Sequence, residues 1–295
     1  YMKIFKIIRS YIRKVFFLIF CKNRKFFYGK FYGSLNFFYL IFFNLFFPSR
    51  SLIRFKYNRF LFPKSFKNID GNIFVDGKGS SKEDVLKKSL FKLKKYGSVV
   101  IQEYFDENTL SRFENEHEND IKKINTAPNN FTSRSGSISI SDSVSKLWFD
   151  ETLINLIEQY IKKIPIARTY PDVHSVTPAE NYSTKVKTDY AGVWHVDHAT
   201  LIQIAIFLTD VHETGSHMQT IPGTHTYPNI TVNGPISSEY VENKKLKIAD
   251  CVGKRGSVQI HCGNIYHRFF PVKNTSRTWI KFQFCSGTNI LFDKN

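Results

Sequence analysis

Short runs in which apolar and polar residues alternate fill the second half of the chain. Turn residues separate four such runs, which are LIQIAIFLTD (201–210), SHMQTIP (216–222), GSVQIHCG (256–263) and TWIKFQF (278–284). A period of two is typical of strands that bury one face. Many short strands that follow a helical region predict a mainly β protein, an antiparallel sandwich or barrel with helices packed outside it.

Helical periodicity dominates the preceding region. Residues 82–96 follow a pair of serines that can cap a helix, carry leucines on one face and end just before Gly97, which predicts a helix. Similar reasoning gives the other predictions for this region, which are a strand over 98–105, a helix over 106–124 capped by Asp106, a helical stretch over 146–163 and a loop in the Asn- and Ser-rich part, 119–145.

The first 67 residues differ sharply from the rest in charge. They hold 15 of the 42 Lys and Arg residues and no Asp or Glu, whereas the other 228 residues hold 27 basic and 25 acidic side chains. The net charge of +17 therefore belongs mainly to this segment. No zinc finger, RNP motif or helix-turn-helix pattern accompanies it, so we expect no specific nucleic-acid partner.

The same segment is rich in aromatic residues. Residues 1–20 alternate Lys and Arg with Ile and Phe at helical spacing, and residues 31–49 are uncharged but interrupted by Gly, Asn and Pro. Basic, aromatic, amphipathic segments lie in the headgroup region of anionic membranes, which is our prediction for residues 1–67. A true membrane span or hairpin, and docking onto this or another protein, remain alternatives.

The four cysteines are scattered, at Cys21, Cys251, Cys262 and Cys285, with no CxxC pair. This spacing predicts free thiols in a reducing compartment. We therefore expect a cytoplasmic protein that is peripheral on the membrane.

The sequence WHVDH, residues 194–198, carries the candidate chemistry. If it lies in a strand, His195 and Asp197 project from the same face. A catalytic metal site needs a third ligand, and six histidines are candidates: His198, His212, His217, His225, His261 and His267. His267 follows a predicted strand and turn, so it is the preferred third ligand, with His261 and His225 as alternatives.

Two histidines and one carboxylate on one face of an octahedron are diagnostic of non-haem Fe(II) oxygenases, because three positions stay open for a bidentate 2-oxo acid and dioxygen. Arg277, ten residues after His267, could clamp the distal carboxylate of that acid with paired hydrogen bonds. The alternatives are a hydrogen-bonded surface pair for His195 and Asp197, and an ordinary ion-pair partner for Arg277.

These motifs resemble the phytanoyl-CoA dioxygenase-like family of Fe(II)/2-oxoglutarate-dependent oxygenases. The resemblance runs from about Leu86 to Gly287 and rests on WHVDH, the turn IPGTH (221–225) and GSVQIHCGNIYHRFFPVKNTSR (256–277). It departs from the usual pattern at Thr224, where the family commonly has Ser. It implies a double-stranded β-helix, or cupin-like jelly roll, over 68–295, preceded by the separate segment 1–67.

The resemblance also implies the roles of individual residues. His195, Asp197 and His267 take the positions of the catalytic iron ligands, Arg277 takes that of the 2-oxoglutarate arginine, and Thr200 is a further candidate contact to that co-substrate. Halogenating relatives have a small residue at the position of Asp197, so its carboxylate favours hydroxylation, or desaturation or ring closure.

The expected substrate is a small or lipid-linked molecule, oxidised with O₂ and with release of succinate and CO₂. The alternatives are an inactive jelly roll that binds at a membrane and a cupin-like metalloenzyme that does not use 2-oxoglutarate.

Overall fold

The computed structural model describes residues 69–126, 134–176, 192–197, 201–226, 238–243, 245–272 and 275–286, and all of them belong to one compact unit. The predicted N-terminal segment, residues 1–67, lies outside this part, so its membrane role and its boundary stay predictions. Among the described helices, none has both the length and the apolar character needed to cross a membrane.

Helices dominate the first part of the described chain and strands the second. The helices are α1 (Lys82–Tyr96), α2 (Glu107–Glu116), α3 (Glu118–Thr126), α4 (Asp142–Trp148), α5 (Glu151–Ile161) and α6 (Ser238–Asn243). The strands are β1 (Phe74–Asp76), β2 (Ser98–Gln102), β3 (Arg134–Ser137), β4 (Pro165–Ala167), β5 (Asp172–Val176), β6 (Leu201–Phe207), β7 (His217–Thr220), β8 (Ala249–Cys251), β9 (Val258–Cys262), β10 (His267–Phe270) and β11 (Arg277–Ser286).

The strands form two sheets. The larger has the order β1-β2-β9-β6-β11-β5-β3, with β4 added beside β11, and the smaller has the order β10-β7-β8. All described pairs are antiparallel except β1 with β2. Strands β7, β8 and β10 thus form a second sheet, while β6, β9 and β11 belong to the larger one, and this two-sheet arrangement agrees with the jelly roll that the resemblance implied.

The central pair of the larger sheet shows why the fold is stable. Ile280, Phe282 and Phe284 of β11 lie opposite Ile206, Ile204 and Ile202 of β6, and all six side chains are buried. They share one hydrophobic core with α1 and α5, which cover this face of the sheet. The intervening residues of β6 and β11 point to the other face, where a cavity lies.

Helix α1 forms as its sequence predicts. The Ser81 side chain accepts a hydrogen bond from the Asp84 amide at its start, and Gly97 ends it in the left-handed conformation, with φ of 81°. The buried residues on its inner face are Val85, Ser89, Leu93 and Tyr96, whereas the predicted leucines at 86 and 90 are only half-buried.

Several predicted boundaries were wrong. The strand predicted over 98–105 ends at Gln102, where the chain enters a left-handed residue, Glu103. The helix predicted over 106–124 is two helices that meet at His117, because this residue is buried and its Nε2 atom pairs with Ser141 Oγ at 2.9 Å. The helical stretch predicted over 146–163 breaks likewise before Asp150, which caps α5.

The loop prediction for residues 119–145 was also wrong in its described part. Most of α3 lies there, with strand β3 and the start of α4. Strand β3 lies at the edge of the larger sheet, where β5 is its partner among the described strands, and its Ser135 and Ser137 side chains are exposed, so it lacks the apolar pattern of a buried strand. Ser141 caps α4 by accepting a hydrogen bond from the Val144 amide.

The three cysteines in the described part, Cys251, Cys262 and Cys285, are all buried, and no disulfide joins any two of them, as predicted.

Candidate metal centre and active-site cavity

The two histidines of the predicted site are joined through their backbones. The amide of His195 donates to the carbonyl of His267, and the amide of His267 donates back to the carbonyl of His195, both at 2.9 Å. Their ring centroids are 4.3 Å apart. Trp194 and Val196 are buried in a separate apolar cluster, so alternation places His195 on the opposite face, as the sequence predicted.

Asp197 completes a group of three. One potential ligand atom from each of His195, Asp197 and His267 lies within 4.8 Å of the other two, and His267 Nε2 is 3.6 Å from Asp197 Oδ2. The Asp197 amide donates to the Gly263 carbonyl at 2.6 Å, which fixes the backbone at this point. The predicted candidates therefore meet at one point, although they come from segments 72 residues apart in the sequence.

Hydrogen bonds fix both imidazole rings in the form that a metal needs. His195 Nδ1 donates to the Val193 carbonyl at 2.8 Å, and His267 Nδ1 donates to the Ile265 carbonyl at 3.0 Å. A carbonyl can only accept, so each Nδ1 carries the proton and each neutral ring keeps the lone pair of Nε2 for a ligand bond. Burial, and then the neighbouring His267, lower the pKa of His195, which favours this neutral form.

Gln203 of β6 supports the carboxylate, and sequence reasoning missed it. Its side-chain amide donates a hydrogen bond to Asp197 Oδ2. Its own Oε1 atom accepts from Gln283 Nε2 of β11 at 3.4 Å. Gln203 is the only polar residue in the apolar run LIQIAIF, and that isolation was the signal that could have identified it.

A cavity of about 400 Å³ adjoins the three candidate ligands and reaches Arg277 at the start of β11. Arg277 is buried, and its guanidinium carbon lies 4.3 Å from the ring centroid of Trp279 and 4.9 Å from that of Phe269. Its Nε atom has no hydrogen-bond partner, and no described carboxylate forms an ion pair with it. Burial lowers its pKa.

The buried guanidinium of Arg277 indicates whether the cavity fits a 2-oxo acid. A buried charge without a partner is costly, whereas a carboxylate bound beside Arg277 would satisfy its donors with paired, charge-assisted hydrogen bonds. The two imidazoles and Asp197 at the other side of the same cavity suit a divalent iron that keeps open positions. The residues present therefore fit both ferrous iron and 2-oxoglutarate.

The other predicted candidates take different places. His261 lines the cavity, with its ring 4.9 Å from that of His267, but does not belong to the group of three. His225 lies in a 3₁₀ turn and its Nε2 atom contacts the Lys94 carbonyl at 3.1 Å. Arg268 donates to Gln219 Oε1 at 2.8 Å, away from the cavity lining. Thr200 and His198 lie outside the described residues.

Comparison with known proteins agrees with this geometry. The model of the family described as Phytanoyl-CoA dioxygenase (PhyH) matches residues 93–278. No curated protein gives a significant match.

Two solved structures share the fold. The epimerase SnoN in complex with Fe³⁺, alpha ketoglutarate and nogalamycin RO has a TM-score of 0.53 at 15% identity, covering 69% of this chain and 84% of that chain. The non-heme alpha ketoglutarate dependent carbocyclase SnoK from nogalamycin biosynthesis has a TM-score of 0.53 at 14% identity, covering 70% of this chain and 86% of that chain.

Proposed function

Since the chain belongs to the phytanoyl-CoA dioxygenase family and is a non-haem iron and 2-oxoglutarate-dependent oxygenase, we propose that its reaction is the hydroxylation of a small or lipid-linked substrate. In this reaction one C–H bond of the substrate becomes C–OH, while 2-oxoglutarate and O₂ give succinate and CO₂. The observation that carries the proposal is the carboxylate of Asp197 among the three candidate ligands, because it takes the position that a halide would need.

In this proposal His195, Asp197 and His267 hold the iron from one side. The two histidine rings cannot rotate freely, because each Nδ1 donates a hydrogen bond to a carbonyl two residues earlier. The Gln203 side chain holds the Asp197 carboxylate. A ferrous ion held by these residues would supply the oxidising chemistry, together with O₂ and 2-oxoglutarate. Because these side chains are already ordered, little conformational entropy is lost when the metal and the co-substrate bind.

Arg277 binds the distal carboxylate of 2-oxoglutarate in the same proposal. The aromatic rings of Trp279 and Phe269 hold its guanidinium plane and keep water away from the ion pair. We also propose Thr200 as a second contact to the co-substrate.

The test of hydroxylation uses ¹⁸O₂ with purified protein, Fe(II), 2-oxoglutarate and metabolite extracts. We expect succinate that depends on the protein, and a product that gains one labelled oxygen atom. His195→Ala should abolish both, whereas His212→Ala, the same change at an exposed histidine outside the cavity lining, should retain both. A product that forms with succinate but without labelled oxygen would instead indicate epimerisation, desaturation or ring closure.

For residues 1–67 we propose binding to an anionic membrane surface on the cytoplasmic side, which would bring lipid-linked substrates within reach. The support is the charge of this segment, with 15 basic and no acidic residues. We expect the full chain to bind liposomes that contain phosphatidylserine and to bind neutral liposomes weakly. Equal binding after deletion of residues 1–60 would refute the proposal.

A further inference from the structure

A second cation, Lys281, lines the same cavity. The alternation of β11 points Arg277, Trp279 and Lys281 to the cavity face, and Lys281 lies opposite Ala205 of β6 and Asp172 of β5. The side chain is half-buried. Within the described part of the chain, it forms no hydrogen bond and no ion pair.

The nearby carboxylates have other partners. Asp172 accepts a hydrogen bond from Ser137 Oγ at 2.8 Å and is not part of the cavity lining. Asp197 faces His267 and Gln203 and is the candidate metal ligand. Burial lowers the pKa of Lys281, and the charges of the two aspartates only partly oppose this effect. An anion next to its Nζ atom would therefore stabilise the ammonium form.

His174 of β5 is the neighbour of Lys281 in this wall. It lies diagonally across the strand pair, and its ring stacks on Trp279 with 5.1 Å between centroids. Its Nε2 atom is buried and has no hydrogen-bond partner among the described residues. Burial, and then the cations Lys281 and Arg277, lower its pKa to about 3. The imidazole is thus neutral and can donate one hydrogen bond to an anion.

The charge balance of the loaded cavity points to the source of that anion. A ferrous ion, the Asp197 carboxylate, the two carboxylates of 2-oxoglutarate and the Arg277 guanidinium together carry no net charge. The two imidazoles that would hold the iron bind a metal in the neutral form, so they add no charge. The ammonium of Lys281 is the cation left over, and the substrate is the component still to enter.

We propose that Lys281, with His174 beside it, binds an anionic oxygen group of the substrate, either a carboxylate or a phosphate. The substrate class is then a small or lipid-linked acid rather than a neutral molecule. The inference rests on the proposed function, because it assumes that iron and 2-oxoglutarate fill the rest of the cavity. Lys281 acts as a residue that determines specificity and holds the substrate for oxidation.

The experiment uses the full chain loaded with Mn(II) and N-oxalylglycine, a 2-oxoglutarate analogue that is not decarboxylated. Inorganic phosphate is the probe, and its ³¹P relaxation reports binding near the paramagnetic Mn(II). In Lys281→Met we expect phosphate affinity to fall at least about tenfold, the ratio for one lost charge-assisted hydrogen bond. Lys281→Arg should retain binding, and Lys254→Met, which changes an exposed lysine, should have no effect.

A gain of affinity gives a test that misfolding cannot imitate. Asp172→Asn removes the carboxylate nearest to Lys281 along the strand pair, so phosphate should bind this variant more tightly than the unchanged protein. The inference is wrong if neither phosphate nor acetate binds, or if binding is the same in Lys281→Met. It is also wrong if Lys281→Met weakens N-oxalylglycine instead, because Lys281 would then hold the co-substrate.

If the protein does not use iron and 2-oxoglutarate at all, the same experiment gives a different result. In that case N-oxalylglycine would not bind, or would bind equally well to Arg277→Met. Intact, Arg277-dependent binding of N-oxalylglycine combined with phosphate binding that ignores Lys281 would overturn only the present inference.

Discussion

Replacing Gln203 with leucine tests whether the hydrogen bond to Asp197 contributes to metal binding. The substitution keeps a side chain of similar size in β6 but removes the donor to Asp197 Oδ2. Loss of such an outer partner typically weakens metal affinity about 10- to 100-fold. This corresponds to about 1.4 to 2.8 kcal/mol of binding free energy.

The effect can be measured as metal-linked stability, without any substrate. At a metal concentration of 100 times its dissociation constant, Mn(II) should raise the free energy of unfolding of the unchanged protein by about 2.7 kcal/mol. With affinity tenfold weaker the same concentration adds only about 1.4 kcal/mol, and with affinity 100-fold weaker about 0.4 kcal/mol. Urea unfolding with and without Mn(II) gives this increment directly, and any loss of stability in the metal-free protein cancels.

Gln102→Leu is the matched control. Gln102 is also a half-buried glutamine of the larger sheet, but its amide donates to the Val252 carbonyl at 2.9 Å and does not contact the candidate ligands. We expect this variant to lose stability equally with and without Mn(II). An unchanged Mn(II) increment in Gln203→Leu would refute the reasoning, since the hydrogen bond would then not affect the metal.

Three further predictions concern the co-substrate, a tight turn and acid stability. Arg277→Met should weaken 2-oxoglutarate binding at least about tenfold, measured in anaerobic titrations by the visible absorption of the complex of Fe(II), 2-oxoglutarate and protein. Arg277→Lys should weaken binding less but should not match arginine, because an ammonium cannot form paired hydrogen bonds. Gly97→Ala should cost about 2–4 kcal/mol of unfolding free energy, since φ is 81° and the new Cβ would lie 2.4 Å from His225 Nδ1. Gly79→Ala, with φ of 73° and nothing within 4 Å of the new Cβ, should cost only about 1 kcal/mol in the same urea titration. Hydrogen bonds, first from Ser143, lower the pKa of Glu116 from 4.5 to about 2, so its stabilising contribution is complete above pH 4.5 and is lost as the pH falls towards 2. Glu116→Gln should therefore flatten the fall in urea midpoint across this range, and an unchanged slope would contradict the assignment.

The parts of the fold that were predicted correctly depend on local patterns. The runs that became β6, β9 and β11 each have one mainly apolar face, and helix α1 has both of its end signals within its own sequence. The breaks between helices could not be predicted in this way. The one at His117 depends on a contact with Ser141, which is distant in sequence and is brought close only by the tertiary fold.

The same distinction between local pattern and tertiary contact applies to the residues of the candidate site. His195 and Asp197 could be proposed as a pair because their spacing alone places them on one face of a strand. Gln203 and Lys281 were missed because a polar residue that alternates with apolar ones in a strand usually faces solvent. Here the smaller sheet covers that face, so these side chains line a cavity instead.

The two faces of strand β11 differ in how freely their residues could be exchanged during evolution. Ile280, Phe282 and Phe284 are locked into the packing under the helices, so exchanges there would endanger folding. Lys281 lies between two of them but faces the cavity and takes no part in this packing. A lineage could therefore redirect the enzyme to new compounds by changing Lys281, while its buried neighbours keep the fold and Arg277 keeps the co-substrate site.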